Sequence, residues 1–222
     1  MCSLHRKGFL GNFFFCGASI IDDRWLMTAA HCVTHEQAIK IEVRCGDAHN
    51  DHDDGGIGQV LNVSSIHVHE NYSSSGFADD IALLQLSSDI KFADNSQPVC
   101  LPAMRAEYDG LAEISGWGQT QSCQTSRLLL AYGDQILNNT ECIRRLSSSI
   151  FVPSKMICID DGRNRTACYG DSGSAVVKKV DRERYVQVGI VSFGEPGCTS
   201  VSASTKVSTY IEWIDSIMNG IS

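Results

Sequence analysis

Long apolar runs are missing from this chain of 222 residues. A helix that spans a membrane needs roughly 20 consecutive apolar residues; none is present, and no membrane partner is expected. No cluster of Lys and Arg stands out, and 26 acidic against 18 basic residues give a formal charge of −8. That balance argues against a nucleic-acid partner and speaks mainly to solubility. Repeats and low-complexity tracts are absent. So are paired Cys-x-x-Cys motifs, which removes the usual zinc framework although the chain holds ten cysteines.

What is present fits a folded protein from an oxidising compartment. The chain is 43% hydrophobic and 20% charged, ordinary values for a globular protein with a sizeable core. Its length allows one large all-β unit or two small domains. Ten cysteines without metal spacing point to disulfides, and hence to a secreted, extracellular protein. Four Asn-x-Ser/Thr sequons, at Asn62, Asn71, Asn138 and Asn164, agree with that compartment. His5-Arg6-Lys7 followed by Phe9 to Phe15 has some look of a leader peptide. The run is short and broken by Gly11 and Asn12, so it reads as part of the fold.

Short apolar runs alternate with clusters of Gly, Asp, Asn and Ser, the rhythm of a β-sandwich or barrel. In Ile39 to Cys45, the residues Ile39, Ile41, Val43 and Cys45 share one face, opposite Lys40, Glu42 and Arg44. Trp25 to Ala29, Ile81 to Leu86 and Val186 to Phe193 read as further strands. His49 to Gly56 and Ser115 to Ser126 read as polar loops. Near the end the period changes: Tyr210, Trp213, Ile214 and Ile217 predict an amphipathic helix. Thr209 and Glu212 fit a capping box, and Gly220 fits a stop.

Three fragments carry chemistry: Ala29-Ala30-His31-Cys32, Asp79-Asp80-Ile81-Ala82-Leu83-Leu84, and Cys168-Tyr169-Gly170-Asp171-Ser172-Gly173. Alone, a Ser between Asp and Gly is usually a turn residue, and a His beside a Cys is usually structural. In the order His, Asp, Ser they supply a base, an orienter and a nucleophile for acyl transfer. The order separates the chain from the two other common arrangements, in which Asp or Ser comes first. Either Asp79 or Asp80 could be the orienter on position alone.

With Phe15-Cys16-Gly17-Ala18-Ser19, Pro98-Val99-Cys100-Leu101-Pro102, Gly116-Trp117-Gly118 and Val191-Ser192-Phe193-Gly194 added, the chain resembles the chymotrypsin/trypsin-like serine protease family over nearly its whole length. The resemblance implies an all-β fold of two six-stranded antiparallel Greek-key barrels, over 1–105 and 106–205, with a C-terminal helix over 206–222 and the site in the cleft. It implies a serine endopeptidase acting on proteins or peptides, with serpin-type or other protease inhibitors as partners, and a monomer.

The same resemblance implies a role for each residue. Ser172 is the nucleophile, His31 the base and then the acid, and Asp80 the orienter, accompanied by Ser192. The N–H groups of Gly170 and Ser172 form the oxyanion hole. Ser174 and Ala175 stand where relatives usually have Gly and Pro; both are small and are expected to be tolerated. Thr166 occupies the base of the specificity pocket, Gly194 its entrance and Ser202 its opposite wall. An uncharged Thr166 disfavours Lys or Arg before the scissile bond, and Ser202 shortens the pocket, so medium apolar residues are expected. Ser192-Phe193-Gly194 is expected to pair with the substrate backbone.

The implied disulfides are Cys16–Cys32, Cys142–Cys158 and Cys168–Cys198, with Cys2–Cys45 as a fourth. Cys100 is left to tether an upstream pro-segment or to pair with Cys123. Asp47, Asn50, Asp51, Asp53 and Asp54 cluster where relatives bind calcium, although Ile57 stands near a position where those relatives place a carboxylate. The plainer reading of these residues is an acidic, solvated loop, so no cofactor is expected. Relatives are activated when a freed N-terminus, usually Ile-Val-Gly-Gly, pairs with the Asp before the nucleophile, here Asp171. This sequence starts inside the first strand, so an upstream pro-segment is expected outside it. The alternative is a catalytically silent homologue that serves as a binding module or cofactor.

Overall fold

The computed structural model describes residues 1–50, 58–120, 124–146, 151–160, 167–182, 184–194, 197–198 and 201–220. Among these residues twelve strands form two closed barrels. The first holds β1 (Cys2–Gly8), β2 (Gly11–Asp22), β3 (Trp25–Thr28), β4 (Ile41–Cys45), β5 (Gln59–Val68) and β6 (Ala82–Leu86). The second holds β7 (Gly110–Gly116), β8 (Leu130–Ile136), β9 (Met156–Asp160), β10 (Ala175–Lys179), β11 (Tyr185–Gly194) and β12 (Ser202–Lys206). Their strand orders, β1-β2-β3-β6-β5-β4 and β10-β11-β12-β9-β8-β7, are one topology used twice, and every pairing in the ladders is antiparallel. Closure leaves no sheet edge to cover.

The first barrel fills with aliphatic side chains, among them Leu4, Ile20, Leu26, Ile41, Leu83 and Leu84. The second has two smaller clusters, one around Ile114, Ile159 and Val176 and one around Cys142, Cys158 and Ala203. Among the described residues four disulfides, Cys2–Cys45, Cys16–Cys32, Cys142–Cys158 and Cys168–Cys198, divide two to each barrel. These are the pairings the resemblance implied. Cys100 is exposed and has no disulfide partner among the described residues; Cys123 lies outside them.

Several sequence-based boundaries shift. Ile39 is not on a strand: Ala38–Lys40 forms a 3-10 turn, and Ile39 points to solvent at 73% exposure. Its place in the alternation was accidental, because the chain is still turning there. The strand read to Ala29 ends at Thr28, and that read from Ile81 starts at Ala82. Ser115 and Gly116, read as loop, complete β7. The capping box is also overturned. Val207–Thr209 is a 3-10 turn, the Thr209 hydroxyl donates to the Ser154 carbonyl at 2.8 Å, and α3 (Ile211–Met218) takes Tyr210 as its N-cap. The stop survives: Gly220 has φ +65° and its N–H donates to the Ile217 carbonyl. Tyr210 and Ile214 pack into the first barrel's cluster, so the end of the chain folds back across the seam.

Candidate active site

The His31 turn is α1 (Ala30–Val33), a single turn that leaves β3 and is tied to β2 by Cys16–Cys32. Asp80 sits just before β6, which pairs with β3, so the barrel brings the two together. The His31 amide donates to Asp80 Oδ1 at 2.8 Å, and His31 Nδ1 lies 2.7 Å from Asp80 Oδ2. Asp80 is fully buried. With a carboxylate on Nδ1, the imidazole carries its proton there and keeps Nε2 free to accept one.

The second barrel reaches across to the same carboxylate. The Ser192 hydroxyl, on β11, donates to Asp80 Oδ2, and the Thr205 hydroxyl, on β12, donates to the Asp80 carbonyl at 2.8 Å. A buried carboxylate with this many donors has its desolvation offset by hydrogen bonds. Asp80 also acts on its surroundings: burial, and then its charge, push the Tyr72 phenol up to about 12.

Asp79 and Asp80 have separate partners. Asp79 turns away from the imidazole, accepting from Lys155 Nζ at 2.6 Å and from the Tyr210 hydroxyl at 3.1 Å. Of the two aspartates that the sequence alone left open, Asp80 is the one beside the imidazole.

Ser172 lies on a turn between Gly170 (φ +98°) and Gly173 (φ +81°). Both glycines are needed. A Cβ on Gly170 would stand 3.1 Å from Gly118 Cα, and one on Gly173 would collide with the Gly17 carbonyl at 2.4 Å. The Ser172 carbonyl accepts from the Gly17 amide at 2.8 Å, so this turn is bonded to the first barrel beside Cys16. Among the described residues the Ser172 hydroxyl makes no hydrogen bond, and His31 Nε2 faces Cys32 Sγ at 3.8 Å. Such contacts often tighten only when substrate binds. Cys16, His31 and Cys32 stand together as metal ligands would, but the two sulfurs are spent on each other in a disulfide.

Asp171 is buried, with its oxygens taken by the amides of Gly118 at 2.8 Å and Cys168 at 3.0 Å. Burial pushes its carboxyl above the usual range against those two amides. Ser174 is fully buried, its hydroxyl has no partner among the described residues, and it packs so closely on Gly17 that a Cβ there would lie 2.4 Å from its Oγ. Ala175 opens β10 opposite Ile190.

Gly194 ends β11 opposite Ser202 on β12. Ser202 is buried and its hydroxyl has no partner among the described residues. Thr166 lies outside the described residues, as do Asp51, Asp53, Asp54 and Ile57 of the acidic loop. Asp47 is buried against Gly58. Pairing of β10 to β11 stops at Ile190, while β12 continues to Gly194. Phe193 and Gly194 thus pair with Ala203 and Ser202 of β12, and among the described residues no ladder partner stands on their other side.

The sequence reading missed Phe77 and Lys155. Phe77 holds φ +50°, unusual for a bulky residue, and wedges between the His31 ring at 5.8 Å and the Phe193 ring at 5.3 Å. Only its place three residues before Asp80 could have drawn attention to it. Nothing in the sequence signals Lys155, which is 76 positions from its partner.

Comparison with known proteins decides the family. The Trypsin family model matches residues 1–214. The chain belongs to the trypsin family. It is 35% identical over 210 residues to Serine protease 1 of Rattus norvegicus, covering 91% of this chain and 79% of that one. It is 33% identical over 207 residues to Chymotrypsin of Phaedon cochleariae, covering 90% and 70%. It is 30% identical over 208 residues to Collagenase of Hypoderma lineatum, covering 90% and 75%. This trypsin-family chain is a serine-type hydrolase of proteins or peptides.

Proposed function

We propose that this protein is a secreted serine endopeptidase that uses Ser172, His31 and Asp80 and prefers a medium apolar residue before the scissile bond. The observation that carries the reading is the buried Asp80 carboxylate 2.7 Å from His31 Nδ1, which leaves Nε2 as the base. Ser172 Oγ attacks the substrate carbonyl carbon and passes its proton to His31 Nε2. The carbonyl π electrons move onto oxygen, where the N–H groups of Gly170 and Ser172 receive the charge. Collapse breaks the C–N bond, and the imidazolium gives its proton to the leaving amine. Water, deprotonated by the same imidazole, then attacks the acyl-enzyme. Collapse frees the acid and returns the proton to Ser172 Oγ.

The specificity reading rests on the uncharged Thr166 and on Ser202 facing Gly194. Secretion is supported by the four disulfides. Fluorophosphonate labelling of the secreted protein, read by peptide mass spectrometry, tests the mechanism. The expected adduct is on Ser172, with loss of both label and turnover in Ser172→Ala, a fall of about 10⁴-fold or more. A folded protein that takes no label overturns it. In a peptide panel, Leu or Met before the cleaved bond is expected to exceed Arg; the reverse order overturns the pocket assignment.

A further inference from the structure

The Asp79-Asp80 dipeptide is held from three directions, and only part of that grip concerns the Asp80 carboxylate. Asp79 has φ +56°, a left-handed conformation that Asp and Asn tolerate better than most residues. The Ile81 amide donates to the Asp79 carbonyl at 2.8 Å, so the chain turns sharply just where Asp80 must present both oxygens to His31. The Asp79 side chain is buried. Its carboxylate is anchored outside its own barrel, by Lys155 Nζ ahead of β9 and by the Tyr210 hydroxyl at the start of α3. Lys155 is itself fixed, because its carbonyl accepts from the Lys206 amide at 2.8 Å. Lys206 follows Thr205, whose hydroxyl holds the Asp80 carbonyl.

From this geometry we infer that Asp79, Lys155 and Tyr210 form a positioning device for the His31–Asp80 pair, which pins the turn across the barrel seam and cancels the Asp79 charge so that the imidazole faces one net carboxylate rather than two. The inference rests on the proposed roles of His31 and Asp80. None of the three residues touches a reacting atom. The Asp79 carboxylate is buried but Lys155 is partly exposed, and ion pairs of either kind contribute little net stability, so a purely structural pin would be served as well by neutral partners. A charge pair beside a second carboxylate has an electrostatic consequence as well.

The charged and titratable groups at this corner come from every element packed on it. Asp79 and Asp80 lie on the loop itself. Tyr72 and His69 come from the chain after β5, with Tyr72 feeling the Asp80 charge and the His69 ring 5.3 Å from Tyr210. Tyr210 comes from the start of α3 and Lys155 from the second barrel. Burial and the Asp79 charge both push the Tyr210 phenol up, so it stays a donor. Asp171, on the Ser172 turn, is bound to the Gly118 and Cys168 amides.

The test is a charge cycle in the full chain. Asp79→Asn keeps the shape and the left-handed preference but leaves Lys155 positive. The acid limb of kcat/KM is expected to move to lower pH by on the order of half a unit. Lys155→Met leaves Asp79 negative and is expected to move the limb by a similar amount to higher pH. The double variant is expected to return near the parent profile, and KM is expected to hold throughout. Single variants that shift the limb the same way, or not at all, overturn the inference. NMR titration of the labelled His31 ring in the same proteins gives the same readout without turnover. No fluorophosphonate adduct, with ring shifts of opposite sign, would sink the proposed protease activity and leave the positioning inference standing. An adduct with unmoved ring titrations would do the reverse.

Discussion

The two barrels share a topology but not a way of filling it. The first is packed with large aliphatic side chains in one cluster that also receives Tyr210 and Ile214. The second has two smaller clusters, and its β12, Ser-Ala-Ser-Thr-Lys, is buried along its whole length. The polar strand's buried side chains meet neighbours across the fold: Thr205 holds the Asp80 carbonyl and Ser202 faces Gly194. A barrel wall can be made from small polar residues when its neighbours are paired on both sides, as β11 and β9 are here. The cost is a smaller apolar payload.

The disulfides offer the largest contrast between the halves. Cys2–Cys45 spans a sequence separation of 43, and Cys142–Cys158 one of 16. On chain-entropy grounds, replacing the first pair by alanines should cost about 4 kcal/mol and the second about 3. Denaturant unfolding of the two double variants measures both. Equal losses would show that native packing outweighs loop length.

Each barrel also buries a titratable group near the seam, and acid acts on the two in opposite directions. In the first, His5 is buried, bonded to the Ser3 hydroxyl at 2.9 Å, and held down to about 4, chiefly by burial and then by the Arg44 charge. Its folded form resists protonation, so stability falls as pH drops from the free histidine range, near 6.5, toward 4. The full loss is at most about 3 kcal/mol. In the second, burial raises the Asp171 carboxyl. Acid neutralises it in the folded state before the unfolded one, which relieves a cost present at neutral pH. Unfolding followed between pH 7 and 4 should steepen less in His5→Gln than in the parent. An unchanged slope would remove His5 as the acid-sensitive group.

The smallest contrast concerns the short helices. Beside the uncapped α1, the second barrel carries α2 (Asn139–Arg145), where the Asn138 side chain accepts from the Glu141 amide at 2.9 Å. Asn138→Ala should cost about 1 kcal/mol, read as a shift in thermal midpoint with turnover unchanged.

Legibility in the sequence follows the same division. Alternation and apolar runs found the strands around Val43, Leu83 and Ile190, because those residues face large apolar interiors. It placed Ile39 wrongly, because a period of two says nothing about where a turn ends. β12 was invisible to hydrophobic pattern, and α2 was overlooked although Asn138 and Glu141 have capping spacing. His31, Asp80 and Ser172 stood out through the fragments around them. Lys155, Thr205 and Phe77 did not, since their meaning comes from contacts made in space, 125 positions apart for Thr205 and Asp80.

The hydrogen bond from the Gly17 amide to the Ser172 carbonyl makes the seam a mechanical part. In the proposed mechanism the base and its orienter ride on one barrel and the nucleophile on the other, so their separation is set by how the two barrels are bolted together. With a lever arm of roughly 10 Å, a rocking of about 5° would displace the hydroxyl by about 1 Å, a misplacement that can cost on the order of 100-fold in rate. Bolts far from the reacting atoms, such as the Trp117 indole on the Ala48 carbonyl, therefore hold the alignment on which turnover depends.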